Sequence, residues 1–491
     1  MKPSKMTTAI KSKWMLGLAL SCAVTLSACN STPAPQAAKA EVVDTGSFKM
    51  PTYETYQLAN GLTVYLMPQK EVPLITVNAA IKVGSVNDTL GGEARLTAKS
   101  LMLGAGQWSK SELEQTIDFM GASLTTNASK EGSFVRSDFL AKDLDKMLPI
   151  IKAVLLEPSF KNKKFDSKEF AKLKQREIAG LGQAKESPRN VIGRYFDRMI
   201  FADTPYGKPS SGNSDSLKKL DVTKLTAFYR AYYQPQNTAI SVVGDFDVTQ
   251  MKAKLDATFG AWKSTSKIQQ PNLVALPKPT KSNVLLVNKG DAIETTFLIG
   301  GKGIRFDNKD RVGLTVVNTI LGGRFTSWLN DELRVNAGLT YGARSAFVPY
   351  AKDGIFRIST FTKEATTKEA IDLAIKTYSR LWEQGIDQAT LDSAKAYVKG
   401  QFPPRYETSG QLAKLLGDMY LYGFDDSYIN EFQAKVDGLT LDETKRLVNQ
   451  YFPKDNLQYV LIGNAEKVAP IAKQYGDVTQ VDIKAVGFNA Q

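Results

Sequence analysis

Residues 225–245 read LTAFYRAYYQPQNTAISVVGD, and residues 444–464 read TKRLVNQYFPKDNLQYVLIGN. Each opens with a helical pattern ending in aromatics. Proline, asparagine and an apolar strand follow, then a glycine seven residues beyond the asparagine (Asn237 and Gly244; Asn456 and Gly463). The offset of 219 residues far exceeds any solenoid period, so the pattern describes a duplicated domain and not a repeat array. A segment rich in Ser, Pro, Lys and Gln at 266–282 is the natural linker between halves at 51–265 and 283–480.

In the first half, Asn60-Gly61 between alternating apolar positions predicts a hairpin with a type I′ turn. Strands are predicted over 74–83, 123–127, 134–141 and 238–243. A helix opens at Gly91-Gly92, and others are predicted over 111–120, 144–155, 165–184 and 225–233. Phe228, Tyr229, Tyr232 and Tyr233 form a stripe at helical spacing that reads as core. Runs of strands mixed with long helices place each half in the α+β class. Gly300-Gly301-Lys302-Gly303 lacks the spacing of a phosphate-binding loop and reads as a turn.

The first fifty residues stand apart. Lys2, Lys5, Lys11 and Lys13 precede a short apolar run, which is too short for a bilayer span of roughly 20 residues. Leu26-Ser27-Ala28-Cys29 then resembles the bacterial lipobox, implying a signal at 1–28, a lipidated Cys29 and a tether at 29–50. Asn30 is not the Asp that retains such proteins in the inner membrane, so the expected location is the outer membrane, facing the periplasm. With Cys22 removed in the signal and Cys29 carrying lipid, no disulfide is expected. The formal net charge is +13, but Lys and Arg are interspersed with Asp and Glu, without a run of five like charges. That balance describes a solvated surface, and none of the usual nucleic-acid motifs is present.

Residues 321–341, LGGRFTSWLNDELRVNAGLTY, hold the densest pattern of the second half. The Gly-Gly pair permits close backbone approach. Phe325, Trp328, Leu329 and Leu333 share one face of a predicted helix, Gly338 falls at its C-cap, and 339–341 reads as a strand start. Arg334 and Tyr341 are then placed to face one cleft as donors to a peptide carbonyl or oxyanion. Spacing alone favours the plainer alternative, an Arg on a helix dipole and a Tyr packed on a sheet.

The two-half layout resembles the M16 family of zinc metallopeptidases (pitrilysin, insulinase and mitochondrial processing peptidase). LGG at 321–323 and LRVNAGLTYGARS at 333–345 are similar to that family's C-terminal signature. The resemblance implies two homologous α+β domains, each an antiparallel-rich sheet with helices packed on it, enclosing a cavity. It also implies that Arg334 and Tyr341 bind the substrate backbone. The family's zinc motif, His-x-x-Glu-His, maps onto Arg95, Ala98 and Lys99. The third ligand of the family would fall near the helix containing Glu177, which itself reads as helix surface. Arg is permanently cationic and an ordinary Lys is charged near pH 7, so this pair repels Zn²⁺. Ala98 cannot act as a general base, and the chain has no histidine to substitute.

No metal or cofactor is therefore expected on this chain. The resemblance implies a zinc-free subunit, inactive alone, whose partner is an M16 homologue carrying the zinc motif and whose substrate is a peptide or unfolded segment. The alternative is a non-enzymatic envelope scaffold or peptide-binding module, resembling the non-peptidase core subunits of the respiratory bc1 complex. Arg405, after Pro403-Pro404, is a further residue expected to face the cavity.

Overall fold

The computed structural model describes residues 48–161 and 166–489; the expected signal, Cys29 and most of the tether lie outside them. Strands β1 (Glu54–Gln57), β2 (Thr63–Pro68), β3 (Leu74–Ile81), β4 (Ser123–Ala128), β5 (Ser133–Leu140) and β6 (Thr238–Gly244) form one sheet. Its order is β1-β2-β6-β3-β5-β4. Strands β7 (Asn283–Asn288), β8 (Glu294–Lys302), β9 (Arg344–Pro349), β10 (Gly354–Lys363), β11 (Gln458–Gly463) and β12 (Asp477–Asp482) form a second. Its order is β9-β10-β8-β11-β7-β12.

The duplication read from the sequence reappears as connectivity. The runs β2-β6-β3-β5-β4 and β7-β11-β8-β10-β9 are one arrangement used twice. The first pair of each is parallel, and the remaining pairs are antiparallel. The sixth strand differs: β1 joins its sheet antiparallel, whereas β12 joins parallel from the other end of the chain.

Seven helices matter for the site: α1 (Glu93–Ser100), α2 (Ser167–Glu186), α3 (Pro188–Phe201), α4 (Val222–Tyr232), α5 (Arg311–Asn318), α6 (Ser409–Tyr422) and α7 (Leu441–Tyr451). The repeated segments are α4–β6 and α7–β11. Their asparagines are not equivalent: Asn456 adopts φ +56°, while buried Asn237 donates its side-chain amide to Lys82 and Tyr232 carbonyls. Phe228, Tyr229 and Tyr233 are buried in the first core, as their spacing predicts.

Each half lends a helix to the other. Helix α6 starts on a Thr408–Gln411 capping box, stops at Gly423 (φ +70°), and lies against the first sheet, where Asn78 Nδ2 donates to the Ala413 carbonyl at 3.2 Å. Helix α3 starts on Pro188 and buries Val191, Ile192, Tyr195 and Phe196 against Leu285, Leu298, Val460 and Ile462 of the second sheet. Each such side chain contributes about 1.5–3 kcal/mol of burial energy before entropy is charged against it. The exchange holds the halves together and walls the space between them.

Two local expectations are corrected. The Asn60-Gly61 hairpin exists, but Gly61 N donates to Leu58 O at 2.8 Å and the positive φ (+88°) falls on Gly61, not on Asn60. That is a three-residue loop closing on a left-handed glycine, not a type I′ turn. Gly300 to Lys302 are strand, not turn. A Cβ on Gly300 would lie 2.0 Å from the Phe356 carbonyl oxygen of β10, so glycine there serves close strand approach.

Candidate functional site

Helix α1 is fixed at its entry by the side chain of Asp88, which accepts from the backbone N–H groups of Gly92 (2.7 Å) and Ala94 (2.8 Å). This leaves Ala94, Leu96 and Ala98 in the core and puts Arg95 and Lys99, one turn apart, on another face. Helix α2 crosses that face with Glu177. Arg95 Nε donates to Glu177 Oε2 at 2.9 Å, and Lys99 Nζ donates to Glu177 Oε1. Burial pushes the Glu177 carboxyl up, but hydrogen bonds and charges from Lys99 and Arg95 outweigh it and hold the group below its ordinary value.

The expectation that Glu177 is plain helix surface is therefore corrected. Its side chain is 15% exposed and is claimed by both cations. The two positions that the resemblance aligns with zinc-binding histidines do converge with Glu177, but as an ion triad. Two of its three members are cations, so the donor set does not fit zinc. Ala98 is fully buried among apolar neighbours. Among the described residues, no group of three or more Cys, Asp or Glu side chains is placed to hold a metal ion.

The 321–341 segment differs from its predicted helix. Residues Thr319–Gly323 and Asp331–Asn336 are wide, π-type turns around a short helical turn, Trp328–Asn330. Gly322 supports the close approach: a Cβ there would lie 2.3 Å from the Ser345 nitrogen. Leu329 and Leu333 are buried, whereas Phe325 is 64% exposed and off the expected face. Gly338 has φ +65°, and Leu339 N closes back to Leu333 O at 2.8 Å, as a C-cap should. Strand β9 begins at Arg344, so 339–341 is a loop and not a strand start. Arg334 lays its guanidinium 4.6 Å from the Phe325 ring centroid. Tyr341 is 82% exposed and leans near the Phe361 ring, at 6.2 Å between centroids.

Between α3 and the face of the second sheet lies a cavity of about 840 Å³. Tyr341 lines it, and so do Arg194, Asp197, Arg344, Arg357 and Phe361. Arg334 stands outside its lining, and Arg405 is exposed on the turn Pro403–Tyr406, not in the cavity as expected. The cavity arginines were missed by sequence reasoning. The available signals were Ser187-Pro188 opening an amphipathic run, and Arg357, Ser359 and Phe361 alternating onto one face of β10.

Two models of one family match the chain: "Insulinase (Peptidase family M16)" at residues 64–211 and "Peptidase M16 inactive domain" at residues 219–398. The chain belongs to the M16 peptidase family. It is similar to the zinc protease PqqE of Helicobacter pylori, 24% identical over 82% of this chain and 91% of the relative. It is also similar to a non-peptidase homolog, YmxG, of the same organism, 23% identical over 77% of this chain and 85% of the relative. A crystal structure of a peptidase M16 inactive domain from Pseudomonas fluorescens shares the fold, with a TM-score of 0.76 and 24% identity, covering 84% of this chain and 98% of that one. Within M16, this chain is a relative that lacks the zinc motif.

Proposed function

We propose that this chain is the zinc-free partner subunit of an M16-type metalloendopeptidase of the bacterial envelope, lipid-anchored through Cys29 and facing the periplasm from the outer membrane. The observation that carries the reading is the Arg95–Glu177–Lys99 triad. It fills the position of a metal site with a closed ion cluster, while Arg334 and Tyr341, seven residues apart, stay accessible to a ligand. Arg334 has no ion-pair partner among the described residues and is held over Phe325, ready to donate to a peptide carbonyl. Tyr341 offers a hydroxyl at the cavity's edge, where it donates to a developing oxyanion. The metal and its activated water come from a homologous subunit carrying His-x-x-Glu-His. The names of the two H. pylori relatives, a zinc protease and a non-peptidase homolog, support such a pairing.

The test is co-purification with an envelope homologue carrying the zinc motif, followed by peptide cleavage. Activity is expected only in the mixture. It should fall with Arg334→Ala, and with Tyr341→Phe by about 10²-fold, the cost of one oxyanion donor. A mixture that keeps full activity with both positions changed assigns the chain to the scaffold role instead.

A further inference from the structure

We propose that the cavity between α3 and the second sheet is an anion-selective subsite, taking the Asp or Glu side chains of a peptide that reaches in past Tyr341. The inference rests on the peptide-binding reading above and adds the class of peptide. Four arginines line the cavity (Arg189, Arg194, Arg344 and Arg357) against one carboxylate, Asp197. Both residues of opposite fate are accounted for: Arg189 is paired with Glu294 at 3.3 Å, and Asp197 is paired with Lys130 at 3.1 Å.

Arg194, Arg344 and Arg357 form no ion pair among the described residues, although the charge of Arg357 also acts on Asp197. They come from three different elements, α3, β9 and β10, and meet only because α3 is lent to the other half's sheet. Arg194 Nη1 is buried without any hydrogen-bond partner. The Arg194 guanidinium also lies over the Phe488 ring, 5.0 Å from its centroid, so the exposed Arg344 and the half-buried Arg357 are the groups that an entering carboxylate reaches directly. Helix α3 and β10 approach closely here: a Cβ on Gly193 would lie 3.1 Å from Arg357 Nη1, so a larger residue would push that guanidinium aside by a few tenths of an ångström.

The occupant is a peptide segment and not a lone small anion because of size and surface. At about 840 Å³ the cavity lies near the top of the usual range for ligand sites, roughly 300–1,000 Å³, and a single carboxylate or phosphate would leave most of it empty. Tyr341, Tyr350 and Phe361 add aromatic surface beside the charges, which suits a chain of mixed side chains.

Fluorescence anisotropy of the purified chain with dye-labelled decapeptides tests this, using alternating Glu-Ala, Gln-Ala and Lys-Ala sequences. The Glu peptide should bind at least about tenfold tighter than the Gln peptide, the least expected of one charge-assisted hydrogen bond, and should weaken with added salt. Arg357→Gln should remove that advantage, and so should Arg344→Gln, an exposed position whose change leaves the fold intact, while binding of the Gln peptide stays within about twofold. Equal binding of Glu and Gln peptides overturns the proposal, as does a preference that survives both substitutions. Inorganic phosphate displacing the Glu peptide with the peptide's own affinity also overturns it, by assigning the arginines to a small anion. The two readings fail separately. A cleaving mixture with no acidic preference sinks only the subsite, and acidic-peptide binding without cleavage in any mixture sinks only the subunit role.

Discussion

Replacing Glu177 with Gln removes the acceptor that holds two cations together. The buried limit for two charge-assisted hydrogen bonds is about 1.5–3 kcal/mol each. That limit does not apply here, because the side chains of Arg95 and Lys99 are 34% and 29% exposed and water screens them. Partly exposed pairs contribute about 0.2–1 kcal/mol each. Unmasked repulsion between like charges one helical turn apart adds about 0.2–0.5 kcal/mol. Glu177→Gln should therefore destabilise the chain by about 1–2 kcal/mol at pH 7. Urea denaturation is the assay, since guanidinium is itself a salt and would screen the effect. The sign of the pH dependence follows from the lowered folded-state value of Glu177. Its contribution is complete above the unfolded-state value, near 4.3, and is lost as pH falls through the folded-state value. Native chain and variant should thus differ by a constant amount from pH 7 to about pH 4.5 and converge in stronger acid. A variant as stable as the native chain at pH 7, or a gap that persists unchanged in acid, would refute the reasoning.

The triad also predicts what would restore a metal site. Arg95→His, Ala98→Glu and Lys99→His together, with Glu177 retained, should bind about one zinc per chain by metal analysis, using two imidazoles and a carboxylate; a variant that folds but takes up none would show that α1 and α2 no longer have ligand geometry. For the anchor, Cys29→Ser should move the protein from the membrane to the soluble fraction on envelope fractionation, and a variant that stays membrane-bound would remove the lipid from the proposal.

How much of this was legible beforehand depends on the range of the interactions. The duplicated plan was readable from 225–245 and 444–464, because proline, asparagine and glycine mark local backbone events wherever they fall. The cap at Gly338 and the tight approach at Gly322 were readable for the same reason. The wide turns around Trp328 were not, since one residue more or less per turn leaves apolar spacing almost unchanged while turning Phe325 outward. Glu177 was placed near the site by resemblance, yet its pairing with Arg95 and Lys99 spans roughly eighty residues and left no local trace. The cavity arginines were hidden by the exchange of helices: nothing in 188–201 says that the segment will pack on the other half's sheet.

That exchange couples the triad on α1 to the cavity on the second sheet. In a fold where each half stood alone, a charge on α1 would act on the first half only. Here α1 packs beside the elements that lead into α3, and α3 forms one wall of the second half's cavity. Burial lowers the proton affinity of the Arg194 guanidinium, and Arg95 lowers it further, so the charge on α1 is felt inside the cavity. Two uncompensated cations at 95 and 99 would add to a field already set by Arg194, Arg344 and Arg357. Glu177 offsets one of these two charges at its source. The Arg95 charge that still reaches Arg194 then joins Arg344 and Arg357 in setting the positive field of the cavity.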